Sequence, residues 1–450
     1  GETARIKPTP IIECTDSLKS QSAAMNMILP KFYRVRQNFP SSRIENVAET
    51  VRMELAKLNL EKTVKPGESV AITVGSRGIA NIALIIKTTV DFLKSIEAVP
   101  FIVPAMGSHG GGTADGQTEV IASYGITAET MGVEIRSSME TVIVDTTSHG
   151  IPVHFDKHAY EADHVLICGR VKPHTRFVGD IESGLHKMML IGLGKHEGAK
   201  IYHRAIEDIS FEEIINAVAK SILQKCSVVA GLAIVENSYD QTALIEAVPP
   251  DQFYEREKAL LNIARDWLPR LPFPQTDLLI VDRIGKNISG SGMDACVIGR
   301  KFNDHAATER DHVSVKRIMI RGLTQETHGN ACGIGLAEFT NERTVASVDW
   351  KITRINANTG SHPTAAMVPL AYPTDREAIE AALQTIGLVS PEASRIVQIF
   401  DTLELSEVIV SETYLEEINS RDDLEIIAGP FELAFDAEQN LTPVFEAPRH

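Results

Sequence analysis

One stretch of this 450-residue chain, Gly169 to Arg204, concentrates the residue types that do chemistry. It reads GRVKPHTRFVGDIESGLHKMMLIGLGKHEGAKIYHR. It carries four histidines (His174, His186, His196, His203) beside four lysines (Lys172, Lys187, Lys195, Lys200). Histidine is the usual imidazole metal ligand and general acid or base. Lysine becomes a covalent anchor when its pKa is lowered. Glycines at 179, 184, 192, 194 and 198 let the backbone turn sharply or approach a ligand closely. Composition alone leaves open a solvated, glycine-rich surface turn. Lys195 and His196 in particular read as solvated loop residues.

Two earlier loops share the same logic. The run Ser69–Val74 predicts a strand, Gly75-Ser76-Arg77-Gly78 a loop, and the pattern from Ile79 to about Ile96 a helix. Strand, glycine-flanked loop and helix make the first half of a βαβ unit. The helix start there suits an anion, and Arg77 adds a bidentate donor for carboxylate or phosphate; as a turn-capping surface residue it would need neither. The pattern repeats with Pro100–Ala105, Met106-Gly-Ser-His-Gly-Gly-Gly-Thr113 and a helix from about Ala114 to Tyr124. His109 is thereby expected at the carboxyl edge of a parallel sheet, where open α/β folds bind ligands. The triple glycine is not a phosphate-binding P-loop, because no Gly-Lys-Ser/Thr closes it.

The elements that position these loops alternate strand with helix. Val165–Cys168 and Ser227–Val235 read as buried strands, and Thr141–Val144 and Pro152–Phe155 as short ones. Helices are expected over 44–58, 182–190, 211–223, 252–267 and 376–385. Residues 1–45, with Pro8, Pro10, Pro30 and Pro40, read as an irregular segment. Pro269, Pro272 and Pro274 mark a boundary. The expected fold is two α/β domains, 1–270 and 271–450, with a mainly parallel Rossmann-like sheet in the first and the active site in the cleft between them. In the second, strands are expected at 277–281, 316–320, 395–400 and 406–410, and its last strands are candidates to return to the first domain. Its polar loops are Gly285–Asp294, closed by Arg300-Lys301, and Glu326–Asn330. His328 reads either as a site residue or as part of a turn.

Composition bounds the function. Lys and Arg number 44 against 60 Asp and Glu, a formal charge of −16, which argues against bulk nucleic-acid or membrane-surface binding. A locally basic pocket for an anionic substrate is still compatible with it. Five widely spaced cysteines without a CxxC pair fit a reducing, cytoplasmic compartment and indicate no zinc ribbon. No apolar run approaches a membrane span, and GETARIKPTP does not read as a signal peptide.

Taken together, SRG after one strand, GSHGG after the next and the His174, Lys187, His203 series resemble the nickel-pincer-nucleotide lactate racemase superfamily, in a divergent branch. The resemblance covers residues 65–205 well and the C-terminal half loosely. It implies a pyridinium mononucleotide with two sulfur arms, joined to a lysine as a thioamide and holding nickel through sulfur, carbon, sulfur and one histidine. By position Lys187 resembles the anchor and His203 the nickel ligand. His109 and His174 resemble the two catalytic histidines and Arg77 the active-site arginine. Ser76 and Gly184 are the further cofactor-binding candidates. His186 replaces the usual small residue before the anchor. No acidic residue stands just before Arg77, where the family usually has one. Arg300, Lys301 and Lys286 are candidates for the substrate.

The implied activity is a racemase or epimerase inverting the Cα of a 2-hydroxy acid, lactate-like or a sugar acid. The implied partners are the small-molecule acid and the cofactor's maturation proteins, without which the chain would lack the group. That Cα hydrogen is barely acidic, so hydride removal coupled to loss of the hydroxyl proton is the accessible route, and two histidines suit a two-sided proton exchange. A conventional metal-dependent hydrolase or lyase is the competing enzyme class, though no HExxH or paired-carboxylate signature is present. A non-catalytic sugar-acid binder is the third reading.

Overall fold

The computed structural model describes residues 27–445. The proline-rich start, including Pro8, Pro10 and Cys14, lies outside the described residues.

The described strands are β1 (Phe32–Gln37), β2 (Ser69–Val74), β3 (Val99–Pro104), β4 (Thr141–Thr146), β5 (Pro152–Asp156), β6 (His164–Arg170), β7 (Val228–Glu236), β8 (Thr242–Val248), β9 (Gln275–Val281), β10 (Ser314–Ile320), β11 (Phe339–Asn341), β12 (Leu370–Tyr372), β13 (Ile396–Ile399), β14 (Glu407–Ser411) and β15 (Leu424–Phe431). One sheet has the order β3-β2-β6-β7-β8, parallel except for β8, which returns antiparallel beside β7. Its central strands, such as SVAITV and HVLICGR, are near-continuous apolar runs because helices cover both faces. The helices Val47–Lys57 and Ile82–Ser95 bury Val51, Leu55, Ile85 and Ile86 against one face. Phe211–Lys225 and Phe253–Asp266 bury Ile215, Val218 and Leu260 against the other. β4 and β5 form a separate antiparallel hairpin.

The second sheet has the order β12-β11-β10-β9-β13-β14-β1-β15. It is parallel from β12 through β13 and antiparallel beyond. The architecture is therefore α/β with mainly parallel sheets. One expectation is corrected here. Residues 1–270 do not all stand with the first sheet, because β1 lies between β14 and β15 of the second. Phe32 and Val35 are fully buried there while Arg34 and Arg36 reach Glu407. Alternating apolar and charged residues fit a strand near a sheet's edge. In the sequence, the short FYRVRQ run is masked by the prolines around it. The chain thus reaches back at its start, whereas its last strands stay in the second sheet.

Within the first sheet, β2 leads to β3 on one side, and β6 enters on the other. The order reverses at β2, so the carboxyl ends of β2, β3 and β6 open onto the crevice such a switch creates.

Candidate active site

A cavity of about 1250 Å³ lies over that crevice. Its floor is the loops after β2, β3 and β6, and its roof comes from the loop after β9 and from residues 352–365. Ser76, Arg77, His109, His174, Gly184, Lys187 and His203 all line it. The structure therefore brings every one of these sequence-derived candidates to one place.

Arg77 stands three residues after the end of β2, and its Nη2 lies under Gly290 of the loop after β9. It forms no ion pair with any described carboxylate. Burial and the neighbouring Arg170 lower its pKa, so a bound anion would relieve a real cost. His109 projects from a loop whose next three residues, Gly110, Gly111 and Gly112, all adopt φ near +65°. A Cβ on Gly110 would stand 2.6 Å from the backbone of Gly116 and Gln117, so only glycine fits that turn. Nδ1 of His109 hydrogen-bonds Ser76 Oγ, and Tyr124 Oη donates to Ser76 O at 2.7 Å. Burial, then the charges of Arg77, Lys187, Lys286 and His203, push the His109 pKa down to about 3.

His174 stacks on Phe177 with ring centroids 3.9 Å apart, and Phe177 stacks on Phe211 at the same spacing. Lys187 Nζ lies 5.8 Å from the Phe177 centroid and the His203 ring 6.0 Å from it. Phe177 is thus the shared wall of three candidate residues, and nothing in the sequence pattern distinguished it from other core aromatics. The backbone N–H of His174 donates to Glu182 Oε2 at 2.8 Å. The same oxygen accepts from Lys301 Nζ at 2.6 Å, and Oε1 accepts from Arg265 at 2.9 Å. Glu182 is 1% exposed, so this buried carboxylate ties the His174 loop to Lys301 in the connection between β9 and β10.

Lys187 ends the short helix Leu185–Lys187 and leads into a π-helical turn, Met188–Gly192. Such turns are frequent at functional sites because the extra residue re-aims a side chain. His186, immediately before it, faces away from the cavity and bonds Glu257 through Nδ1 at 2.7 Å and through its backbone N–H at 3.0 Å. Gly184 is small for a related reason, since a Cβ there would stand 2.3 Å from Glu257 Oε1. Burial, followed by Arg77, Lys172 and Arg170, lowers the Lys187 pKa to about 7. A free amine is nucleophilic only when neutral, so Lys187 is poised for acylation near neutral pH. An amine-acylating reagent should therefore modify Lys187 in the unloaded protein with a midpoint near pH 7. Peptide mass spectrometry across pH 5–10 should show ordinary lysines reacting only at higher pH, where their pKa of about 10.4 lies. Lys187 titrating with those ordinary lysines would contradict the assignment.

His203 sits on the helix Lys195–Ala205, and burial lowers its pKa to about 4, leaving the neutral imidazole that a metal requires. The described residues hold no group of three or more His, Cys, Asp or Glu placed to bind a metal. A metal at His203 would therefore draw most of its donors from elsewhere than this chain's described side chains.

Other expectations change. Lys195 is fully buried, not solvated, with φ +55°. Its Nζ pairs with Asp156 Oδ2 at 3.0 Å and donates to Pro104 O and to Gln117 Oε1 at 3.2 Å. Gln117 Nε2 in turn donates to Gly107 O at 2.9 Å and His109 O at 3.2 Å, so this lysine braces the His109 loop from beneath. His196 lines the cavity. Arg300 lines the cavity but is 1% exposed, with Nη1 donating to Gly299 O and Val315 O and Nη2 to Glu338. Lys301 is held by Glu182, and Lys286 by Gly290 O beside Arg77. His328 has φ +49° at the end of an exposed turn and does not line the cavity. Arg176, unremarked in the sequence, reaches across to Gly360 O and, at 2.9 Å, Ser361 O.

Residues 20–212 match the family of the lactate racemase N-terminal domain. Among solved structures, the chain is similar to the lactate racemase apoprotein from Thermoanaerobacterium thermosaccharolyticum, with a TM-score of 0.50 and 14% identity over 83% of this chain and 99% of that one. A structural-genomics protein from Thermotoga maritima aligns with a TM-score of 0.46 and 13% identity over 71% of this chain and 82% of that one. At such identities the likeness is one of fold. No protein of curated function matches the chain. No helix among the described residues is long and apolar enough to cross a membrane.

Proposed function

Because residues 20–212 match the lactate racemase N-terminal domain family, we propose that this protein is an isomerase inverting the Cα of a 2-hydroxy acid with a nickel-pincer nucleotide tethered at Lys187. The observation that carries this reading is the meeting of a near-neutral, unpaired lysine, a neutral imidazole at His203 and an ion-pair-free Arg77 in one cavity. The cavity also exceeds the ~300–1,000 Å³ of an ordinary small-molecule site, which leaves room for a mononucleotide and an acid together.

The residues present fit the group. Lys187 would form the amide-type link and His203 would supply the protein's imidazole to the nickel. When bound, the group would supply the hydride acceptor for the Cα hydrogen. The chain's own residues do the rest. Arg77 fixes the substrate carboxylate bidentately through turnover. A histidine facing the hydroxyl takes its proton, and both His109 and His174 are held neutral for that purpose by burial. Their low proton affinity is a property of the unloaded site. An anionic acid and a nucleotide phosphate would offset Arg77, Lys187 and Lys286 and raise it. The second-domain wall offers Asn287, Ser289, Ser291 and Asn356, which favours an acid with further hydroxyl groups over lactate.

The test uses protein co-expressed with the maturation proteins and both stereoisomers of a panel of 2-hydroxy and aldonic acids. Inversion of one acid with retention of a Cα-deuterium label in ordinary water is expected. Label washout at the rate of inversion would point to proton abstraction instead. Full activity of unmodified protein with a simple divalent metal would overturn the reading.

A further inference from the structure

Toward the carboxyl end of β7 the cavity holds two charged side chains of opposite sign, Lys172 and Asp240. Neither Lys172 Nζ nor the Asp240 carboxylate has a hydrogen bond or ion pair with a described residue. Both backbones are nevertheless fixed. Lys172 N donates to Ser183 O at 2.9 Å, and Val171 N beside it donates to Ile234 O at 2.8 Å. Asp240 stands in the turn between β7 and β8 with φ +53°, an uncommon conformation for a residue with a side chain. Its N–H donates to Asn237 O at 3.1 Å. Asn237 Oδ1 accepts from Tyr239 N at 3.0 Å and from Gln241 N at 3.1 Å, and Ser238 Oγ donates to Trp267 O at 2.6 Å. The turn therefore holds Asp240 where it is.

The other charges nearby are engaged. Glu236 accepts from Ala80 N at 2.6 Å and pairs with Arg170. Arg283 pairs with Asp401 at 2.9 Å. Lys172 and Asp240 lie within reach of each other's charge, yet no ion pair joins them. Lys172 also acts on Lys187, so the gap between the two begins beside the anchor. The balance of sign selects what fills it. A second carboxylate or a phosphate on Lys172 would face Asp240, Glu236 and Asp294. An ammonium on Asp240 would face Arg170 and Lys172. A hydroxyl carries no charge, and it accepts from an ammonium and donates to a carboxylate at once. Adjacent hydroxyls on one chain satisfy both groups, each through a bond with a charged partner.

We infer that Lys172 and Asp240 form a subsite for a vicinal diol, separate from the carboxylate clamp at Arg77. Two sources present that chemistry. One is the hydroxylated tail of a sugar acid whose carboxylate Arg77 holds, and the other is the ribose of a mononucleotide. The first source rests on the proposed inversion, and it makes this pair select a polyhydroxy acid over lactate. The diol itself does not rest on that reading.

The test measures binding to the unloaded protein by saturation-transfer NMR, in pairs of equal charge. Gluconate is compared with 2-hydroxyhexanoate, and ribose 5-phosphate with 2-deoxyribose 5-phosphate. The wild type is expected to prefer the hydroxylated member of at least one pair. Lys172→Met keeps the aliphatic stem without the ammonium, and Asp240→Gly suits the left-handed turn without the carboxylate. Each should lower the preference about tenfold, the scale of one lost hydrogen bond to a charged group. Comparison within a pair cancels the general loss of charge. A loss confined to the gluconate pair assigns the subsite to the substrate's tail, and one confined to the ribose pair assigns it to the nucleotide. No preference in the wild type, or a preference that survives both variants, would overturn the inference. So would tighter binding of malate than of gluconate that Lys172→Met removes, since that marks an anion site. If the matured wild type inverts no acid, the proposed function fails while the paired binding still decides the subsite.

Discussion

Replacing Lys187 by alanine is expected to leave a folded protein that never gains the cofactor's mass and inverts no 2-hydroxy acid. Intact-mass and nickel measurements after co-expression with the maturation proteins check the first point. The pKa of about 7 also has a stability consequence. The native state binds fewer protons at this site than the unfolded chain between pH 7 and 10.5, so stability rises with pH across that window. The cost is present in full below pH 7 and gone above 10.5. Lys187→Ala should therefore be more stable than the wild type at pH 7, by on the order of 3 kcal/mol after allowance for water in the cavity. The gain should vanish near pH 10.5. A variant that is both less stable at pH 7 and still charged with nickel would remove Lys187 from the site. His203→Ala, by contrast, should keep the added mass at Lys187 and lose chiefly nickel, because one imidazole is only part of the coordination sphere.

Asp156→Asn is expected to be the most destabilising polar change around the first sheet. Asp156 and Lys195 are both fully buried, and removing one charge strands the other in a poorly polarisable interior. The loss should be about 3 kcal/mol, a fall in Tm of roughly 10 °C for a domain of this size. Asparagine keeps the cap on Ala159 N, so the effect reports the charge. The double variant Asp156→Asn/Lys195→Met should recover much of the stability, since an apolar pair of similar volume needs no desolvation. Its activity should stay low, because Lys195 no longer braces Gln117 beneath the His109 loop. Recovery of both together would show that the pair has no part in placing His109.

The site was legible to the extent that strand ends are. Arg77, His109, His174 and Lys187 each stand in a loop or first turn after an apolar run, and parallel strands carry their carboxyl ends to one edge of the sheet. Spacing along the chain was therefore enough to gather them. The missed residues owe their roles to contacts between distant segments. Glu182 matters because Lys301 and Arg265 converge on it from 119 and 83 residues away. Lys195 looked like a solvated loop lysine because its partner, Asp156, stands far back in the chain at the end of β5. A sequence cannot show that the two Nη atoms of Arg300 are already engaged by Val315 O and Glu338.

What the sequence by itself determined was the alternation of apolar runs with glycine-bearing loops, and so the parallel α/β architecture and the chemical types at its edge. Those are local properties of side-chain size, polarity and backbone freedom. Only the tertiary structure decided that β1 joins the second sheet, because pairing FYRVRQ with β14 and β15 spans more than 370 residues of chain. It alone decided the charge state of Lys187, which follows from burial among Arg77, Lys172 and Arg170.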